Sequence, residues 1–162
     1  MSQRETYFLT FLLDHHRFAI PVEDVEKVER AVAITPVPES GKLLHGVIDY
    51  HGTLLPVINL RQKFSLDPTE ITPDHKLLIV STHLRQLAIL VDEVGEVTKI
   101  PEKEIFETKT AAARLSKNDE SGRNLLFNDK NGIVILYELE SLLSGELDNE
   151  INQLQEVLSE KK

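Results

Sequence analysis

The chain has no cysteine among its 162 residues, which excludes a disulfide framework, thiol chemistry and cysteine-ligated metal. It has no run of roughly 18 consecutive apolar residues, the length that crosses a bilayer as a helix, so no direct membrane insertion is expected. A basic surplus is also missing: 18 Lys and Arg stand against 27 Asp and Glu, giving a formal net charge of −9. Nucleic-acid binders normally carry a basic patch or stripe, so no nucleic-acid partner is expected. Met1 to Glu5 is polar and leads into a strand-like pattern without the apolar core of a signal peptide, which points to cytoplasmic residence.

Recognisable reaction chemistry is absent as well. Glu39-Ser40-Gly41-Lys42 resembles the end of a phosphate-binding loop, but Pro36 stands where that loop needs its first glycine, and Leu43 where it needs Ser or Thr. The histidines His15, His16, His45, His51, His75 and His83 are scattered over turns and loops and never reach metal-ligand spacing. Asp92, Glu93 and Glu96 could be imagined as a carboxylate dyad, but they follow an apolar run and read as a strand end and a solvated turn. Ser81 near His83 lacks an identifiable orienting acid and oxyanion donors, and no Gly-x-Ser-x-Gly elbow occurs. No catalytic, metal or cofactor-binding residue is assigned, and the chain is expected not to be an enzyme.

What the sequence has in abundance is short strands. Gly46 to Arg61 holds the apolar runs Val47-Ile48 and Leu54 to Leu60, separated by a polar step ending in Gly52. That is a tight hairpin, with Gly52 supplying a positive φ. Pro56 cannot donate to a ladder, so its strand is expected to be an edge or locally bent. Thr6 to Leu13 and Arg17 to Ile20 read as a first hairpin closed by Pro21. Val22 to Arg30 reads as a short helical turn running into a strand, and Thr35-Pro36-Val37-Pro38 as extended chain. Leu77 to Val80 pairs with Leu87 to Val91, and Glu96 to Ile100 alternates as a half-buried strand up to Pro101. Leu125 to Phe127 and Gly132 to Tyr137 form the last hairpin, whereas Ser65 to His75 and Ala111 to Asn124 are polar loops. The pattern is all-β, with no βαβ alternation, and favours barrels over a doubly wound sheet.

The C-terminal stretch differs. Leu147, Ile151, Leu154 and Leu158 recur at helical spacing, with acidic residues near the start and Lys161-Lys162 at the end. This amphipathic helix either packs on its own domain or docks on a partner; both readings stand at this point.

Taken in order, these motifs resemble the CheW family of chemotaxis coupling proteins. The resemblance runs from about residue 5 to 144 through Thr35-Pro36-Val37-Pro38, the hairpin Gly46 to Leu60, Leu90-Val91-Asp92-Glu93-Val94 and Ile133 to Leu143. It implies two small five-stranded SH3-like barrels packed on a shared hydrophobic core, with short helices. The first barrel would take the region from Pro21 to the central hairpin, and the second the strands from Leu77 to Ile100, linked by the terminal strands. A C-terminal helical extension would occupy 145–162. It further implies a non-catalytic adaptor that couples the regulatory domain of a CheA-type histidine kinase to the cytoplasmic tip of a chemoreceptor at membrane-associated arrays. The alternative is an auxiliary scaffold for a non-receptor signalling partner. The protein-binding residues implied are Val37, Pro38, Gly46, Val47, Asp49, His51, Gly52, Leu54, Pro56, Asn59, Arg61 and Asp92. This chain departs from the family in its turn, where His51 replaces the usual arginine, and at Asn59, which replaces an aspartate. If the family arginine serves a structural ion pair, His51 and Asn59 form a compensating neutral pair; if it contacts the receptor, receptor binding is lost or altered here, and both readings stand at this point.

Overall fold

The computed structural model describes residues 5–31, 33–37, 43–61, 63–82, 85–107, 125–139 and 149–153. Strands β1 (Glu5–Leu13) and β2 (His16–Pro21) form the first hairpin, and a 3-10 turn at Val22–Asp24 leads into β3 (Val25–Arg30). The short β4 (Thr35–Pro36) precedes the central hairpin, β5 (Leu44–Tyr50) and β6 (Thr53–Asn59). Next come β7 (Lys76–Ser81), β8 (Gln86–Val91) and the long β9 (Glu93–Pro101), then a second 3-10 turn at Glu102–Glu104. Strands β10 (Phe106–Glu107), β11 (Leu125–Asp129) and β12 (Gly132–Leu136) complete the set.

The strands form two sheets, a terminal sheet in the order β10-β11-β12-β2-β1-β9 and a central sheet in the order β3-β7-β8-β6-β5-β4. Both repeat one pairing pattern: two antiparallel pairings, one short parallel pairing, then two more antiparallel ones. The outer strands of each sheet are neighbours in sequence. Four residues join β3 to β4 and another four join β9 to β10, a span of at most about 18 Å. Each sheet therefore has to curl until its two ends approach, which is how an open sheet becomes a barrel.

All-β architecture in two units agrees with expectation, but two details differ. Each sheet has six strands, the additional ones being the two-residue pieces β4 and β10. The allocation of strands also differs. Leu77 to Val91 belongs to the same sheet as the central hairpin, and the second sheet is built from the two chain ends together with β9. The reason is the parallel pairing of β6 with β8, through Val57–Ala88, Ile58–Ile89 and Asn59–Leu90. Local apolar runs do not announce a partner so distant in sequence.

Three apolar clusters follow from this arrangement. Ile48, Leu55, Val57, Leu77, Ile79, Ala88 and Leu90 fill the central barrel. Phe8, Ala19, Ile100, Phe127, Val134 and Leu136 fill the terminal one. Between the sheets lies a shared core with Phe11, Phe18 and Ile135 from one side and Ile58, Leu78 and Ile89 from the other. Strands β7 and β8 face a barrel interior on one side and the shared core on the other. That burial on both faces is why they read as unbroken runs, Leu77-Leu78-Ile79-Val80 and Leu87-Ala88-Ile89-Leu90-Val91, without alternation.

Residues 149–153 are helical, and Ile151 is fully buried in the shared core. At this residue the apolar stripe packs on its own chain, assisted by Arg85 Nη2 donating to Asn152 Oδ1 at 3.2 Å. Leu147, Leu154 and Leu158 lie outside the described residues, as do Gly41-Lys42, His83 and Ala111 to Asn124.

Candidate functional site

The central hairpin closes on a two-residue turn in which both residues have positive φ, His51 at 52° and Gly52 at 87°. These are the signs of a type I′ turn, whose twist matches that of the flanking strands. Glycine adopts this conformation freely, and histidine is among the few residues with a Cβ that are enriched there. Asp49 reinforces the turn, its Oδ1 accepting the Gly52 N–H at 2.8 Å. The His51 ring stands edge-on to Tyr50 with centroids 4.5 Å apart.

Alternation along β6 puts Leu54, Pro56 and Ile58 on one face, opposite Asp49, Val47 and Leu44 of β5. Ile58, Val47 and Leu44 belong to the shared core, so this face continues the core outward to the turn. At its outer end Leu54 remains 49% exposed. Pro56 is buried in a strand that has neighbours on both sides, contrary to the edge expectation. The parallel ladder to β8 begins only at Val57, however, so at Pro56 itself only β5 is adjacent. Counting alternate pairs back from the Tyr50–Thr53 closure makes Val47–Pro56 a pair that exchanges no ladder bonds. The proline therefore sits where its missing N–H costs nothing.

Gly46 is required by close packing. A Cβ there would lie 2.3 Å from the Thr35 carbonyl oxygen of β4. Val37, just past β4, is half-buried against the shared core, and Pro38 lies outside the described residues. Burial pushes the His45 imidazole pKa down, favouring its neutral form.

Arg61 and Asp92 occupy a different setting, behind the hairpin. Arg61 is only 6% exposed. Its Nη2 donates to both Asp92 carboxylate oxygens at 2.8 and 2.6 Å, and Nη1 donates to the Asp67 carbonyl at 2.8 Å. Asp14 Oδ1 lies 2.9 Å from Nη1. Asp92 also accepts the Asp14 N–H at 2.7 Å, and its own N–H donates to the Leu12 carbonyl at 3.0 Å. His75 Nε2 is 3.4 Å from Asp92, while its Nδ1 accepts the Thr72 N–H at 3.0 Å. Burial works against the charge on Arg61, but hydrogen bonds to Asp92 and then Asp14 outweigh it, and the guanidinium pKa is raised.

Asn59 belongs to this junction, its Oδ1 accepting the Arg61 N–H at 3.0 Å. The first of the two alternatives, a His51–Asn59 pair, is not formed, because His51 lies in the turn before β6 and Asn59 at the far end of that strand. Of the twelve residues implied by the resemblance, Val47, Asp49, Leu54 and Pro56 share one hairpin face, and His51 and Gly52 form its tip. Gly46 lets β4 approach β5 closely, and Val37 packs against the same shared core as that face. Asn59, Arg61 and Asp92 form the buried junction and present little to a partner. Asp14, Asp67 and His75 were not among the expected residues: in the sequence they sit in polar turns, and only three-dimensional convergence marks them.

Among the described residues no group of three or more His, Asp and Glu side chains could hold a metal ion. Ser81 Oγ and Gln86 Nε2 both donate to the Glu26 carboxylate, which ties β3 to the β7–β8 hairpin. No described helix is long and apolar enough to cross a membrane.

Comparison with known proteins agrees with this architecture. The CheW-like domain family matches residues 7–146. Over 89% of this chain and 91% of its own length, the probable chemotaxis protein CheW of Rhizobium etli is 24% identical. Chemotaxis protein CheW of Thermotoga maritima is 28% identical over 83% of this chain and 84% of its own. Protein FrzA of Myxococcus xanthus is 30% identical over 65% of this chain and 66% of its own. The crystal structure of the scaffolding protein TtCheW from Thermoanaerobacter tengcongensis superposes with a TM-score of 0.75 at 23% identity. It covers 89% of this chain and 96% of that one, which establishes the likeness of fold. With two curled sheets on a shared core and a family match across nearly its whole length, the chain belongs to the CheW-like domain family of chemotaxis scaffold proteins.

Proposed function

We propose that this chain is a non-catalytic adaptor that couples the regulatory domain of a CheA-type histidine kinase to the cytoplasmic tip of a chemoreceptor, working in the cytoplasm at membrane-associated receptor arrays. The observation that carries this reading is Leu54, a large apolar side chain left 49% exposed on a hairpin face that continues the shared core. A face of that kind suits an amphipathic helix laid along it, apolar side chain against apolar side chain. Asp49, opposite Leu54, and His51 at the tip add a polar rim that fixes orientation.

His51 also supports a second reading. Where the family usually has a permanently charged arginine, this tip offers an imidazole, and an auxiliary scaffold that binds the kinase but not a receptor would tolerate that change. Titration of the purified chain with a CheA regulatory domain, and separately with a receptor cytoplasmic fragment, tests both readings. Binding to each partner supports coupling, and binding to the kinase alone supports the auxiliary role. Binding to neither overturns the adaptor reading.

A further inference from the structure

We propose that Arg61 is a positioning residue, a latch that holds the two barrels in one relative orientation and thereby aims the hairpin face. Its functional consequence rests on the adaptor reading; the latch itself does not.

Arg61 is at the point where both sheets meet. It follows β6 of the central sheet, Asp14 lies in the β1–β2 turn of the terminal sheet, and Asp92 is the single residue between β8 and β9, where the chain crosses from one sheet to the other. Arg61 reaches both carboxylates, and Asp92 is fastened to the β1–β2 hairpin twice more, through the Asp14 N–H in its turn and the Leu12 carbonyl of β1. With its side chain 7% exposed, Arg61 has almost no surface to offer a partner and has to act through what it holds.

The shared core alone does not set this orientation. Apolar attraction is non-directional and tolerates small rotations of one sheet on the other, whereas a bidentate arginine–carboxylate pair has a fixed geometry. Buried ion pairs add little net stability compared with apolar replacements, and specifying one arrangement is a role they are known to serve. The latch also sits at the inner end of a lever. Strand β6 runs from Asn59, beside Arg61, to Leu54 at the exposed tip, about 17 Å at 3.3–3.4 Å per residue. A rotation of about 10° at the latch would displace the tip by about 3 Å over that length, enough to spoil a complementary contact.

The absence of native cysteine makes the test direct. Spin labels at Thr53→Cys, beside the tip, and Asn128→Cys, on β11 of the terminal sheet, report the inter-barrel distance by pulsed electron resonance. Labels at Thr53→Cys and Arg30→Cys report a distance within the central sheet. Asp14→Asn removes one arm of the latch at a side chain 39% exposed, and Arg61→Met with Asp92→Asn removes the pair without leaving a lone buried charge. The latch predicts that both variants keep amide-exchange protection in each sheet and the narrow within-sheet distance, while the inter-barrel distance broadens or shifts by about 3 Å, the lever displacement. An unchanged inter-barrel distance in Asp14→Asn overturns the proposal. So does loss of protection in both sheets of that variant, which would make the junction a general stabiliser. Neither readout involves a partner, so failure here is distinguishable from failure of the adaptor reading.

Discussion

Arg61 holds both carboxylate oxygens of Asp92, at 2.8 and 2.6 Å, across 31 positions of chain. The pair joins the end of β6 to the residue that carries the chain from one sheet to the other. Arg61→Ala leaves Asp92, which water reaches only in part, without its cation. The expected loss is about 3 kcal/mol, toward the lower end for breaking a buried pair because Asp92 and Asp14 keep some solvent access. Chemical denaturation measures it, and the midpoint should fall without a change in slope.

A second arginine clamp makes the protein sensitive to acid. Arg17 donates to both oxygens of Asp129 at 2.7 and 2.6 Å. Its hydrogen bonds hold the Asp129 carboxyl below the usual carboxylate range, assisted by the backbone N–H of Asn131. A carboxylate with a depressed folded pKa contributes stability that is complete above its unfolded value, about 4, and is lost as pH falls through the lower folded value. Asp129→Asn should therefore cost about 1–2 kcal/mol at neutral pH and much less in acid. Denaturation midpoints of the two proteins, followed from pH 7 down to pH 3, should converge.

The hairpin turn carries its own prediction. No atom would crowd a Cβ on Gly52, so the cost of Gly52→Val is purely conformational, about 1–3 kcal/mol. His51→Gly relieves the one residue of the pair that resists positive φ and should be neutral or stabilising by a few tenths of a kcal/mol, about the size expected in a type I′ turn. Thermal melts of the two variants should move in opposite directions, or only the first should move.

Much of the fold was legible in the amino-acid order. Runs such as Tyr7 to Leu13 and Leu77 to Val80, punctuated by Asp14, Pro21, Gly52 and Pro101, mark strands and their ends through local chemistry. The resemblance to coupling proteins, carried by Gly46 to Leu60 and Leu90 to Val94, was also readable there. What local chemistry could not supply was the long-range partner. The parallel pairings of β2 with β12 and β6 with β8 bring together segments with nothing between them in sequence to specify contact, so the strands near Leu77 were expected in the wrong barrel. The same limit applies to the site. His51, Gly52 and Leu54 lie within four positions of one readable hairpin, whereas the junction gathers Asp14, Arg61, His75 and Asp92 from four separate segments. Arg61 and Asp92 were also expected to bind a partner; the geometry buries Arg61 and leaves Asp92 little exposed.

The most direct test of the adaptor account is to place one charge on the exposed end of the hairpin face. Leu54→Asp changes a half-exposed side chain directly opposite Asp49, and the like-charge pair it creates should cost about 1 kcal/mol of stability, not enough to unfold the chain. In co-sedimentation with receptor fragments and a CheA-type kinase, the account predicts that wild-type protein joins the assembly and that Leu54→Asp lowers receptor affinity at least about tenfold, equivalent to about 1.4 kcal/mol. Incorporation of Leu54→Asp with wild-type affinity would contradict the account.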